Sequence, residues 1–294
     1  MSFNPKVIKD IITSTKKSNG GIVMDKIALV TGASSGIGAM TARELAKNGY
    51  TVYAAARRVD KMNELKKDGI NPISLDLTNE ESMVKCVESI LKEKGHIDVL
   101  VNNAGYGSYG AIEDVPMEEA RRQFDVNLFG MARLIQLVTP SMRQNHYGKI
   151  VNISSMGGKI WTKFGGWYHA TKFAVEGFSD CLRMELAPFG IDVVVIEPGG
   201  IKTDWGIIAA NNLKETAKGG AYEQYANKAA DGMIKNYSGN MLAKPELIAR
   251  TVRKAVMKRK PHTRYLVGFM AKPMVITQKI FGDRVYDWVI KTFS

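Results

Sequence analysis

Tyr168 and Lys172 stand four residues apart in the run Tyr168-His169-Ala170-Thr171-Lys172. On a helix these two positions share a face. A free phenol, with a pKa of about 10, is a poor base near neutrality. An ammonium beside it stabilises the phenolate and lowers that value, so that a tyrosine becomes usable as a general acid and base. Alone, such a pair is also an ordinary feature of helices. Ser155, thirteen positions upstream, ends an apolar run and adds a hydroxyl. Its neighbour Ser154 would point to the opposite face of a strand. His169 diverges from Tyr168 around the helix and is expected to pack or to face solvent.

A second group of residues suits a phosphate. Thr31-Gly32-Ala33-Ser34-Ser35-Gly36-Ile37-Gly38 has glycines at the spacing G-x-x-x-G-x-G between a strand-like run and a helical one. Backbone N–H groups at the start of that helix, with its dipole, favour a pyrophosphate. The spacing differs from the G-x-G-x-x-G fingerprint, and by itself the segment is only a glycine-rich turn. Asn102-Asn103-Ala104-Gly105 closes the fourth strand-like run, where open α/β sheets bind ligands, although it also reads as a simple turn. The second such run ends Ala54-Ala55-Ala56-Arg57-Arg58. No carboxylate stands there to bind ribose hydroxyls. Two guanidiniums stand where a 2′-phosphate would pair with them, and NADP(H) is the expected cofactor. No metal site is expected: no His/Cys cluster has zinc spacing.

These residues need a scaffold. Short apolar runs at Lys26–Val30, Thr51–Ala56, Ile73–Leu75, Ile97–Val101, Lys149–Ile153, Val193–Ile196 and Tyr265–Val267 alternate with helical patterns, the signature of a parallel sheet covered on both faces. Thr78-Asn79-Glu80-Glu81 has the form of a capping box. Pro116 heads a helical stretch reaching about Asn145, and another runs from Tyr168 to Ala187. One α/β domain over 24–268 is expected. Residues 1–23 form an N-terminal extension, read as a flexible arm. The stretch 203–240, with Trp205, Leu213, Tyr222 and Tyr225, reads as a substrate loop or lid. In the tail, 269–294, Phe281, Val285, Trp288, Val289 and Phe293 share one helical face, which would pack on the domain, cover an apolar substrate or touch a membrane surface.

The chain has 294 residues, 45% of them hydrophobic, enough for a single large core. Its net charge of +12 fits a polyanionic cofactor. The densest basic stretch, Arg250 to Arg264, lacks the interleaved aromatics of a single-strand binder, so no nucleic-acid role is expected. Cys86 and Cys181 form no CxxC pair and are read as buried packing residues. No secretory signal is expected, and the cytoplasm is the expected compartment.

Taken in order, the Thr31–Gly38 turn, Asn102-Asn103-Ala104-Gly105, Asn127, Ser155, Tyr168–Lys172 and Pro198-Gly199-Gly200-Ile201-Lys202-Thr203 resemble the short-chain dehydrogenase/reductase family of the single-domain type, over about residues 25–270. The resemblance implies a Rossmann-like, doubly wound parallel sheet and hydride transfer between a nicotinamide and a carbonyl or alcohol. Tyr168 would be the proton donor, Ser155 would orient the carbonyl oxygen, and Lys172 would bind the nicotinamide ribose and depress the Tyr168 pKa. Asn127 would hold a water linking Lys172 to solvent. Gly32, Ser34, Ser35, Gly36, Ile37 and Gly38 would cradle the pyrophosphate, with Arg57 as the main phosphate contact. Asp76 and Leu77 would meet the adenine, and Asn103, Ala104 and Gly105 the adenine-ribose side. Pro198, Gly199, Ile201 and Thr203 would meet the nicotinamide. The substrate would be a small, apolar molecule, the direction reduction, and the assembly a homodimer or homotetramer paired through the helices at 117–145 and 168–187. A non-catalytic sensor on this fold would be expected to have lost Tyr168, Lys172 or Ser155, and a lipid-binding protein of membrane surfaces would bind liposomes independently of NADP.

Overall fold

Lys26–Thr31 forms strand β1, and everything in it from Ile27 onward is buried. Ile27 and Leu29 enter the core on one side of the sheet, Ala28 and Val30 the core on the other, as the two-residue period of a strand requires. The same two-sided burial explains the unbroken apolar runs of β2 (Tyr50–Ala56), β4 (Val99–Asn102), β5 (Gly148–Ile153) and β6 (Ile191–Pro198). The short edge strands β3 (Asn71–Ser74) and β7 (Arg264–Val267) are partly exposed. This computed structural model describes residues 25–293, so the expected N-terminal arm over 1–23 lies outside the described residues. All seven strands are parallel, in the order β3-β2-β1-β4-β5-β6-β7. The order reverses between β1 and β4, which opens a crevice at their carboxyl ends.

Helices α1 (Gly36–Ala46), α2 (Glu80–Lys94), α3 (Met117–Phe124), α4 (Gly130–Gln144), α5 (Gly166–Leu186), α6 (Trp205–Ala217), α7 (Glu223–Ser238), α8 (Pro245–Met257) and α9 (Ala271–Phe293) surround the sheet. Residues of α2, α4 and α5 fill one core; α1 and α8 fill the other. The doubly wound parallel sheet is therefore as expected. The details differ in four places. The cap of α2 is Asn79, whose Oδ1 accepts from Ser82 N at 2.8 Å, because Thr78 turns back to bond Asp76. The stretch expected as one long helix is divided by a π turn, Asp125–Phe129. The 203–240 segment is a helical hairpin, α6–α7, rather than a loop. Cys86 is buried as expected, but Cys181 is exposed.

The tail is the other departure. Gly282, with φ of 75°, breaks α9 and resets which face meets the domain. Tyr286, absent from the expected stripe, is fully buried, while Phe281, Val285 and Trp288 stay exposed; the Phe293 side chain lies outside the described residues. Tyr286 packs edge-on against Trp161 at 5.1 Å between centroids and donates to the Trp161 carbonyl at 3.0 Å. Trp161 Nε1 donates to Asp287 at 2.9 Å. Among the described residues no helix is long and apolar enough to cross a membrane. Tyr286→Ala is expected to cost about 3 kcal/mol, typical of deleting a buried aromatic, whereas Trp288→Ser, at an exposed site, should change stability by no more than about 0.5 kcal/mol. Urea unfolding of the two variants checks this.

Candidate active site

The crevice begins at a turn that admits no side chains. Gly32 has φ of 64°, and a Cβ there would lie 2.7 Å from Ala104 Cα; one on Gly38 would lie 2.3 Å from the Gly32 carbonyl oxygen. The turn is stapled to β4. Thr31 Oγ1 accepts from the backbone N–H of both Asn103 and Ala104 at 3.0 Å, and Asn103 Nδ2 donates back to the Thr31 and Gly32 carbonyls. The Asn103 side chain is thus committed to bracing the turn, and Ala104 and Gly105 are what line the cleft. Ser35, at the N-cap of α1, makes no side-chain capping bond, so the N–H groups of the first helical turn keep their capacity to bind an anion.

A cleft of about 630 Å³ follows, with Gly32, Ser34 and Ser35 on one side and Arg57, Asp76 and Leu77 beyond them. Its volume suits a cofactor-sized ligand. Burial tends to raise the Asp76 pKa, but two hydrogen bonds from Thr78 and the nearby Arg57 and Arg122 outweigh it and hold the carboxyl below its usual value. Arg122 reaches the cleft from α3; nothing in the local sequence marks it, because only the packing of α3 over the crevice brings it there. At the far end, Gly199 N–H donates to the Val267 carbonyl at 2.8 Å, Ile201 bridges to Ala243, and Thr203 comes against Gly36. The uncapped helix start, the glycine turn and the guanidiniums fit a dinucleotide carrying an extra phosphate. The Ile37 side chain is half-buried against the sheet core, and it is the Ile37 backbone that belongs to the turn. Among the described residues no group of three or more His, Cys, Asp or Glu is placed to hold a metal ion.

Ser155, Tyr168, Lys172 and Asn127 come together beside this cleft. Ser155 caps a short 3-10 turn, its Oγ accepting from Gly157 N at 3.0 Å, and it hydrogen-bonds the Tyr168 phenol. Lys172 Nζ donates to the Ile153 carbonyl at 2.9 Å and lies 5.9 Å from the Tyr168 ring centroid. The expected depression of the Tyr168 pKa does not prevail in this state. Burial pushes the phenol well above its usual value, with the Ser155 bond opposing, and burial also drives the Lys172 ammonium down to about 8. The π turn aims Asn127 inward: its Oδ1 accepts from Tyr106 N at 3.0 Å, and its Nδ2 donates to the Tyr106 carbonyl and to Thr171 Oγ1.

His169 is buried, not at the surface. Its Nε2 accepts from Thr162 N at 3.0 Å, so Nδ1 carries the proton and donates to the Gly157 carbonyl at 2.9 Å. It fixes the loop between Ser155 and Tyr168. Over Tyr168 stand Tyr109 at 5.9 Å and Trp205 at 5.1 Å between centroids, in an apolar cluster supplied largely by α6 and α7. Sequence reading flagged Trp205 only as part of an apolar stretch and missed Tyr109 and Tyr237.

Comparison with known proteins agrees with this geometry. The family model described as short chain dehydrogenase matches residues 26–212. A 3-ketodihydrosphingosine reductase of Bacteroides thetaiotaomicron is 35% identical over 271 residues, covering 91% of this chain and 97% of that protein. The crystal structure of a short-chain dehydrogenase from Streptomyces avermitilis superposes with a TM-score of 0.75 at 34% identity, covering 87% of this chain and 92% of that one. The closed form of serine dehydrogenase complexed with NADP+ superposes with a TM-score of 0.71 at 26% identity, covering 82% and 94%.

The buried ammonium has a thermodynamic signature. Its folded pKa of about 8 lies below the usual 10.5, so the charged form is penalised in the fold. Between those values the unfolded chain binds more protons, and stability rises with pH. The parent is therefore expected to gain stability as pH rises between those values, and Lys172→Met, which has no such group, to lack that gain. Unfolding curves at a series of pH values test it, and parallel pH profiles for the two proteins would sink it.

Proposed function

Since the chain belongs to the short-chain dehydrogenase/reductase family of oxidoreductases, we propose that it is an NADP(H)-dependent reductase of an apolar ketone or aldehyde, with Tyr168 as its general acid. The observation that carries this reading is the Tyr168 phenol itself: buried, kept protonated by that burial, and bonded to Ser155 beside a packed aromatic cluster. When bound, the nicotinamide supplies the hydride. Tyr168 then transfers its proton to the carbonyl oxygen, and Ser155 donates a hydrogen bond to that same oxygen. Lys172 holds the nicotinamide ribose and, as an ammonium, favours the phenolate that the proton transfer leaves behind. Asn127 keeps the Tyr106 segment in place next to Lys172 and positions the water that reprotonates the site.

Arg57 and Arg58 at the end of β2 support a 2′-phosphate, and the NADP+ in the serine dehydrogenase neighbour points the same way. The packing of Tyr109, Trp205 and Met233 about Tyr168 supports an apolar substrate. The Bacteroides relative, named for a long-chain ketone, makes long-chain ketolipids the first substrates to try. The same reading pairs copies of the chain through α3–α4 and α5, where Phe129, Phe173 and Met184 are exposed.

Tyr168→Phe keeps the ring and removes the proton. Turnover should fall roughly 100- to 10,000-fold with NADPH binding nearly unchanged, measured as NADPH oxidation against a panel of ketolipids, ketosteroids, retinal and small aldehydes. Near-parental activity would end the assignment. Arg57→Ala should weaken NADPH binding about tenfold or more and NADH binding far less; equal losses for both cofactors, by fluorescence titration, would remove Arg57 from the phosphate site.

A further inference from the structure

Beyond Lys172 on the same helix, one turn further, is Glu176, which is 4% exposed. Glu197, at the end of β6 and directly before Pro198-Gly199, is 3% exposed. The two carboxylates converge on the same two cations. Arg264 Nε lies 3.0 Å from Glu176 Oε2 and 3.3 Å from Glu197 Oε1. Lys159 Nζ lies 3.0 Å from Glu176 Oε2 and 3.8 Å from Glu197 Oε1. Among the described residues the Oε1 atoms of both glutamates have no hydrogen-bond donor, and the nearby buried Ser154 Oγ has no hydrogen-bond partner. Two buried carboxyl groups within hydrogen-bond reach of each other cannot both ionise cheaply, and one proton between them satisfies both. The packing is tight: a Cβ on Gly158 would lie 2.8 Å from Ser154 Oγ, 2.9 Å from Glu176 Cγ and 3.0 Å from the Lys172 carbonyl oxygen.

Resting on the reading of Lys172 as the ammonium that serves Tyr168, we propose that Glu176 and Glu197 form a one-proton carboxyl pair that is the counter-charge of Lys172 and sets the alkaline limit of the reaction. They are positioning residues, acting through Lys172. The charged groups around the pair are Lys172, Asp180 and Arg183 on α5, Lys159 from the loop after β5, and Arg264 on β7. Asp180 is held by Arg264 at 2.6 Å and by Arg183, and Glu176, one helical turn from Lys172, is the carboxylate whose charge acts on the ammonium. Burial drives the ammonium down and the Glu176 charge opposes it. Glu197 is pushed up to about 7, by burial first and by Glu176 second. As pH rises through that value the pair sheds its proton and gains negative charge one turn from Lys172. The added charge arrives just below the pH at which the ammonium would be lost, and extends the range over which Lys172 stays protonated.

The test is the pH dependence of NADPH-dependent turnover and, separately, of NADPH binding by fluorescence, for the parent, Glu176→Gln, Glu197→Gln, Glu176→Asp and Lys172→Met. The alkaline midpoint should fall by about one pH unit in Glu176→Gln and return toward the parent value in Glu176→Asp. Should Glu176→Gln fail to fold, Glu197→Gln, which keeps a hydrogen-bonding amide and mimics the protonated form of Glu197 at every pH, should move the midpoint the same way by a smaller amount. A merely structural pair would lower the melting temperature and leave the midpoint in place, and that result overturns the proposal. An alkaline limb that persists in Lys172→Met overturns the assignment of Lys172, and the pair's role with it. A limb lost in Lys172→Met but unmoved in Glu176→Gln overturns the pair's role alone.

Discussion

The hydrogen bond from Lys172 Nζ to the Ile153 carbonyl, 2.9 Å long, ties α5 to the last residue of β5, two positions before Ser155. Through it the helix that carries Tyr168 and the strand that delivers Ser155 share one anchor. The bond is a charge-assisted one inside the protein, and such bonds strengthen as water is excluded. The same exclusion penalises the ammonium, whose value falls to about 8. The surroundings of Lys172 divide between these demands: a backbone dipole in front and a carboxylate one turn behind. Stability is given up for a charge held at a fixed place, a common exchange at functional sites.

The cofactor cleft depends on an opposite device, the removal of side chains. Where the strand order reverses between β1 and β4, the chain must pass close enough for Thr31 to accept from two N–H groups of the next strand. Gly32 and Gly38 leave less than 3 Å for any Cβ. The wall that results is backbone, uncapped and dipolar, while the far end of the cleft is lined by long guanidinium side chains that follow β2 or stand on α3. Thr203 closes against Gly36, so the segment that follows β6 begins its course at the phosphate turn and continues into α6. The cofactor and substrate halves of the site are mechanically one piece.

Much of this was legible in the residues. Strands buried on both faces announce themselves as apolar runs, and the one-turn spacing of Tyr168 and Lys172 needs only helical geometry. The features that escaped are those in which distant segments decide. Asn79 took the capping position because Thr78 found Asp76 instead, a competition invisible in the local pattern. The π turn at Asp125–Phe129 has no sequence signature, yet it aims Asn127. Arg122, His169 and the Glu176–Glu197 pair acquire meaning only when α3, the Ser155 loop and β6 are brought against their neighbours. Tyr286 lies off the Val285–Trp288–Val289 stripe, and only its packing on Trp161 from a distant loop buries it.

The cover over Tyr168 is where the family motifs stop and this chain's own chemistry begins. Trp205 sits with Gly107 on one side, where a Cβ would meet its ring at 2.5 Å, and its neighbour Gly206 lies directly on Tyr237, where a Cβ would meet that ring at 2.4 Å. Small residues thus let two large rings close over the phenol. Ala209, Ala210 and Ala217 of α6 and Ala226 and Ala230 of α7 are all buried in the same cluster, so short side chains hold the hairpin together. The Trp205 ring lies 5.1 Å from the Tyr168 ring between centroids, so apolar side chains fill the space beside the phenol. With the phenol and Lys172 both buried, the Ser155 hydrogen bond and the Lys172 charge act with little screening. The packing over the phenol therefore rests with α6 and α7, and the burial that raises the phenol's pKa rests in part with them.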